Sequence, residues 1–236
     1  NDMVVNTDSM YLGAARSNNI QYFFDQGTTV THTTYFGNNK TREALLLILK
    51  NADGLPIPGF TSIPQLQVPG SDRDARGLEH GELTSEPPSG KREIVVILPG
   101  IMGSNLKQKD KRVWINYWQF ITGGLVKLED VGDESITAAS LIRTSYKKLA
   151  DRLSRVYDVV VFPFDWRKQL NVCAAEFNQL IKELLKLNQP IKLIGHSMGG
   201  VLVRDFIIKH NDTWQQLNAS KGFRLLFLGA PLGGSF

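Results

Sequence analysis

The chain has 236 residues, 42% of them hydrophobic, with a single cysteine and a formal charge of +4, enough to build one large α/β domain or two small ones. That charge is too modest at this length to demand a nucleic-acid partner, the lone Cys173 excludes an internal disulfide, and no apolar run is long enough to span a bilayer. The four histidines, His32, His80, His196 and His210, lack metal-ligand spacing, and no glycine loop followed by lysine is present to hold phosphate, so neither a metal nor another cofactor is expected.

Residues 1–51 read as a compact α/β fragment. A strand pattern covers Ile20 to Phe24, Thr28 to Thr31 continue extended, and a helix is predicted over Ala44 to Leu49, after Asn38-Asn39-Lys40-Thr41. Asp2 stands before Met3-Val4-Val5, and His32 follows one strand pattern and precedes the helix. A carboxylate on one loop and a histidine on the next is a layout in which an acid can orient a general base. The stretch from Asn1-Asp2-Met3-Val4-Val5 through His32 resembles the acid-to-histidine portion of small bacterial lipases of the α/β-hydrolase fold. The resemblance implies Asp2 as acid and His32 as base, with Asp8 and Asp25 as weaker candidates for the acid. The plainer alternative is a fraying terminal Asp2 and an ordinary loop histidine. Asn1-Asp2-Met3 carries neither the basic nor the apolar part of a signal peptide, so the expected location is the cytoplasm unless an address label lies outside the chain.

From residue 52 to residue 90 the periodicity dissolves into prolines, glycines and charges, which predicts a linker with His80 inside it. Residues 91–236 are expected to form the next domain. There Ile94-Val95-Val96-Ile97-Leu98 is a continuous apolar run, as expected of a strand covered on both faces in a parallel sheet. It ends in Pro99-Gly100-Ile101-Met102-Gly103-Ser104, a glycine-bearing turn whose Ile101 amide is a candidate oxyanion donor. Lys107, Lys109, Lys111 and Arg112 read as a solvated loop, with contact to a membrane surface as a second reading. Trp114, Tyr117, Trp118 and Phe120 follow, either lining an acyl-chain pocket or filling core.

Tyr146, Leu149, Ala150 and Leu153 share one helical face, as do Cys173, Phe177, Leu180, Ile181 and Leu184, which leaves Cys173 buried and without chemistry. These helices alternate with strand patterns at Asp158 to Phe162, Ile191 to Ile194 and Arg224 to Leu228, an arrangement that predicts a parallel sheet with crossover helices.

Between the last two of those strands stands Gly195-His196-Ser197-Met198-Gly199-Gly200. A serine flanked by glycines on a strand-to-helix turn is exposed above the sheet in a strained conformation, and the helix N-terminus aims free amides at developing negative charge. Ser197 is therefore the candidate nucleophile and the Met198 amide the first oxyanion donor.

Four motifs in order, Pro99-Gly100-Ile101-Met102-Gly103-Ser104, Phe162-Pro163-Phe164-Asp165-Trp166-Arg167, the serine turn and Leu228-Gly229-Ala230-Pro231-Leu232-Gly233-Gly234-Ser235, resemble the lecithin:cholesterol acyltransferase-like lipases over residues 93–236. The resemblance implies an α/β-hydrolase-type, mostly parallel sheet with helices on both faces, with Asp165 and Arg167 fixing a loop by charge-assisted hydrogen bonds. In that fold the serine precedes the acid and the histidine. Here the only later histidine is His210, within the helix after Ser197 and unable to reach back. The expected domain is thus incomplete or permuted, with the C-terminal part ahead of the N-terminal part. Either a cut from tandem domains, with adjoining domains of a longer chain, or a circular permutation accounts for it.

The expected activity is that of a serine esterase or lipase acting on an ester or lipid substrate through an acyl-enzyme on Ser197. The alternatives are an O-acyltransferase of the lecithin:cholesterol acyltransferase type and a non-catalytic hydrolase-like interaction module, or an inactive fragment of a tandem hydrolase.

Overall fold

The computed structural model describes residues 21–23, 25, 37–50, 57–62, 82–109, 111–114 and 135–233. The chain divides into two units, residues 1–77 with 231–236, and residues 78–230. The division falls inside the stretch read as a linker.

In the first unit β1 (Gln21–Tyr22) pairs antiparallel with β2 (Thr61–Ser62), itself inside that stretch, and the rings of Phe23 and Phe60 meet at 5.4 Å just beyond the pairing. Helix α1 (Asn39–Lys50) buries Ala44, Leu45 and Leu49, an i, i+1, i+5 stripe of a single face. Asn38 starts it: its side-chain oxygen accepts the Lys40 amide at 2.9 Å, and its side-chain NH2 donates to Asp25 at 2.8 Å. Asp25 is thereby occupied at a helix start.

In the second unit β4 (Ile94–Leu98) lies wholly buried, as its unbroken apolar run predicts. It pairs in parallel with β8 (Asp158–Val161) on one side and β9 (Ile191–His196) on the other, and β10 (Arg224–Leu228) adds in parallel beyond β9. The order is β10-β9-β4-β8. Ile94, Val96 and Leu98 pack with Phe177 and Ile181 of α3 (Leu170–Leu185) and Leu202, Val203 and Phe206 of α4 (Met198–Lys209). Helix α2 (Arg143–Leu153) buries the predicted Tyr146, Leu149, Ala150 and Leu153. Its connection steps from β4 to the edge strand β8, whereas that of α4 steps from β9 to the opposite edge β10, so right-handed crossovers put the two helices on opposite faces. Helix α5 (Asn211–Asn218) follows α4 directly. Cys173 is buried on α3, and burial foremost pushes its thiol pKa up to about 12, which leaves no thiolate for chemistry. No helix among the described residues is long and apolar enough to cross a membrane.

A second sheet, antiparallel, was not apparent from the sequence. It runs β3-β7-β5-β6, from β3 (Glu82–Leu83), β5 (Ser104–Gln108), β6 (Lys111–Trp114) and β7 (Ile136–Ile142). The basic cluster expected to be a solvated loop is instead the hairpin of β5 and β6. Lys107 and Arg112 face one carboxylate, Glu82, at 3.1 and 2.9 Å, and the Arg112 hydrogen bond foremost lowers its pKa. A register shift between Asn105 and Leu106 is filled by the buried Asn105 side chain, which donates to Ser140 Oγ at 2.9 Å and the Leu141 carbonyl at 3.0 Å.

At the opposite end of the parallel sheet from Ser197, Asp158 is buried and accepts from the Ser89 hydroxyl and amide, each at 2.6 Å, and from Arg92 at 2.9 Å. The Ser89 hydroxyl foremost, with the Arg92 charge, holds the Asp158 carboxyl below its ordinary range, against the opposing effect of burial. A folded-state pKa below the unfolded one means this contribution is complete above the unfolded pKa and is lost as pH falls through the folded value. The thermal midpoint should therefore fall below about pH 4, and Asp158→Asn should flatten that acid limb; an identical acid limb in the variant would remove Asp158 from the account.

Candidate active site

Ser197 lies between the end of β9 and the first turn of α4, nearly buried, with φ 51° and ψ −122°. For a residue with a Cβ this is a strained conformation. Its amide is spent on the Leu228 carbonyl at 2.9 Å, which ties the turn to β10, and its carbonyl accepts the Gly200 amide at 2.9 Å. Close approach sets the rest of the geometry. A Cβ on Gly100 would stand 2.9 Å from the Ser197 Cβ, so the turn after β4 lies directly against the serine.

The amides available at this point can be counted. Gly100 donates to the hydroxyl of Tyr146 at 2.8 Å, and Gly103 donates to the Gly100 carbonyl at 3.0 Å. Among the described residues no protein acceptor takes the amide of Ile101 or of Met198. The Ile101 side chain is half exposed and Met102 nearly so, and Met102 adopts φ 58°. Trp114 clasps this turn from the hairpin, its indole N–H donating to the Met102 carbonyl at 3.0 Å and its ring meeting Trp166 edge-on at 5.3 Å.

The Phe162–Arg167 loop is held by charge-assisted bonds, as its motif implied. Arg167 grips Asp165 through Nε at 2.9 Å and NH2 at 2.7 Å, both side chains almost fully buried. Ser104, at the end of the turn after β4, accepts the Phe164 amide at 3.0 Å and so fastens the two loops together.

Residues 137–236 match the family model for lecithin:cholesterol acyltransferase. The match covers less than half of the chain and includes Ser197, the Asp165–Arg167 loop and the Gly229-Ala230-Pro231 turn. It supports an enzyme of the lipid-acting hydrolase and acyltransferase class, in line with the motif resemblance. It begins at residue 137 and does not reach residues 1–51. No curated protein and no solved structure matches the chain.

The structure brings Ser197, Gly100 and the Ile101 turn together. Asp2, Asp8, His32, His80, Tyr117, Trp118 and Phe120 lie outside the described residues. His210 sits at the far end of α4, about 20 Å along the helix from Ser197, where its ring stacks on Phe206. Among the described residues no group of three or more His, Cys, Asp or Glu side chains could hold a metal. Tyr146 was visible in the sequence only as one buried residue of a helical face; nothing in that periodicity signals that its hydroxyl meets both Gly100 and His196.

Proposed function

We propose that this chain is a serine hydrolase of the α/β-hydrolase type that cleaves carboxylic esters, lipid-like ones foremost, through an acyl-enzyme on Ser197. The observation that carries the reading is the strained Ser197 at the switch from β9 to α4, with the Met198 amide next to it in the chain and the Ile101 amide in the turn that packs against it, neither taken by a protein acceptor among the described residues. The parallel order β10-β9-β4-β8, with the serine at the carboxyl end of a central strand, supports the hydrolase type. In this reading Ser197 Oγ attacks the ester carbonyl carbon and gives its proton to a base. The carbonyl oxygen gains negative charge facing the two amides, the alcohol leaves with a proton, and water then releases the acid. His32 and Asp2 are the proposed base and acid, on the likeness of residues 1–51 to bacterial lipases. The aromatic stretch of Trp114, Trp118 and Phe120 is the proposed wall for the acyl chain.

The family match favours a second reading, acyl transfer, in which an alcohol replaces water in the second half-reaction. A fluorophosphonate probe is expected to label the protein at Ser197 and to leave Ser197→Ala unlabelled; labelling that survives the substitution removes Ser197 as nucleophile. Product analysis with added alcohol acceptors separates ester hydrolysis from transfer. A protein that neither reacts with the probe nor turns over p-nitrophenyl esters is a binding module instead.

A further inference from the structure

Gly100 carries the structural problem of the oxyanion turn. It has to be glycine, since a Cβ would collide with Ser197 and stand 3.2 Å from the His196 imidazole. A residue without a side chain also has no side-chain packing to hold its peptide plane, and rotation of that plane would re-aim the amides that follow. Something else has to fix it.

Tyr146 is placed to do so. It stands buried on α2, 46 residues from Gly100 and 50 from His196, and its hydroxyl meets both. The hydroxyl oxygen accepts the Gly100 amide at 2.8 Å and shares a second hydrogen bond of 2.8 Å with Nδ1 of His196, the residue before Ser197. The two rings also meet edge-on at 5.8 Å. Burial raises the Tyr146 pKa well above the ordinary tyrosine value, so the group remains a neutral hydroxyl at any working pH. One oxygen atom thus links the turn after β4 to the turn after β9.

We propose that Tyr146 is a positioning residue for the oxyanion site: by taking the Gly100 amide and bracing His196, it leaves the Ile101 amide aimed at Ser197. This rests on the reading of Ser197 as nucleophile. In this role Tyr146 acts through the peptide of Gly100 and through the strand end that carries the serine.

The test compares three proteins, the parent, Tyr146→Phe and Leu149→Ala. Tyr146→Phe removes one oxygen and keeps the ring that fills the core. It should lower kcat for a p-nitrophenyl ester about ten- to a hundredfold, with KM within about twofold and fluorophosphonate labelling of Ser197 slowed alike, because a misaimed donor weakens the transition state more than the ground state. Leu149→Ala, on the same buried face without a polar tie, should lower the melting temperature and leave kcat within about twofold. A Tyr146→Phe protein with the parent's kcat and labelling rate overturns the proposal while Ser197 stands. A parent that does not react with the probe sinks the nucleophile reading instead. Amide hydrogen exchange then decides the anchoring separately: in the parent the Gly100 amide should be protected and the Ile101 amide should exchange freely. The reverse pattern overturns the proposal, and this measurement serves equally if Tyr146→Phe fails to fold.

Discussion

Ser197→Gly is expected to yield a protein more stable than the parent and inactive toward esters. At φ 51° and ψ −122° a Cβ-bearing residue is strained by about 1–3 kcal/mol, and glycine adopts the same angles freely. The added freedom of glycine in the unfolded chain offsets about 0.4–1 kcal/mol of that relief. A net gain of about 1 kcal/mol remains, or a rise of about 2–4 °C in the melting temperature at this chain length. On the proposed role of Ser197 as nucleophile, loss of its hydroxyl should lower ester turnover by about 10⁶-fold. Ser197→Ala provides the contrast, since it removes the hydroxyl and keeps the Cβ. It should match the loss of turnover without the gain in stability. Equal melting temperatures for the two variants would mean that the turn stores no strain.

Gly199→Ala is expected to destabilise the protein, against the helix propensity of the two residues. In the interior of an exposed helix, glycine to alanine adds up to about 1 kcal/mol of stability. Here the new Cβ would stand 2.5 Å from the Pro99 carbonyl oxygen and 2.7 Å from that of Leu98, both backbone atoms at the end of β4. Backbone at the end of a fully buried strand cannot swing aside as a flexible side chain does, so α4 and β4 have to separate. The clash outweighs the helix propensity, and a net loss of about 1–3 kcal/mol is expected. The denaturation midpoint should fall at unchanged slope. Gly90→Ala serves as a comparison at a positive-φ glycine with open space around it, at φ 73°; its loss should come from backbone strain alone and leave ester turnover unchanged. An unaltered midpoint for Gly199→Ala would show that α4 does not press on β4 as closely as described.

The elements around Ser197 were legible in the sequence because each has a strong local cause. The run Ile94 to Leu98 has no polar alternation, which fits a strand covered on both faces, and it is one. Tyr146, Leu149, Ala150 and Leu153 recur at helical spacing, and all four are buried on α2. Asp165 and Arg167 are two residues apart, so their bidentate pairing needs little beyond the loop itself.

The antiparallel sheet was not legible, for equally physical reasons. Glu82 and Leu83 are too few to show a period, and Lys107 to Arg112 read by charge as solvated loop although Lys107 and Arg112 share Glu82 across the hairpin. In Ile136 to Ile142 the alternation is broken by the irregular register opposite Asn105, which a period-two pattern cannot contain.

The sequence by itself determined the serine turn, since two glycines around a serine between an apolar strand and an apolar helix satisfy a steric demand met within six residues. Only the tertiary structure decided what surrounds that turn. The Gly100 amide is bound by a hydroxyl 46 residues away, the His196 imidazole by the same hydroxyl 50 residues away, and the Ser197 amide by the carbonyl of Leu228. Such bonds depend on which strands are neighbours and on which face each helix crosses. Residue periodicity states which side of an element is buried, and it carries no information about the partner met there.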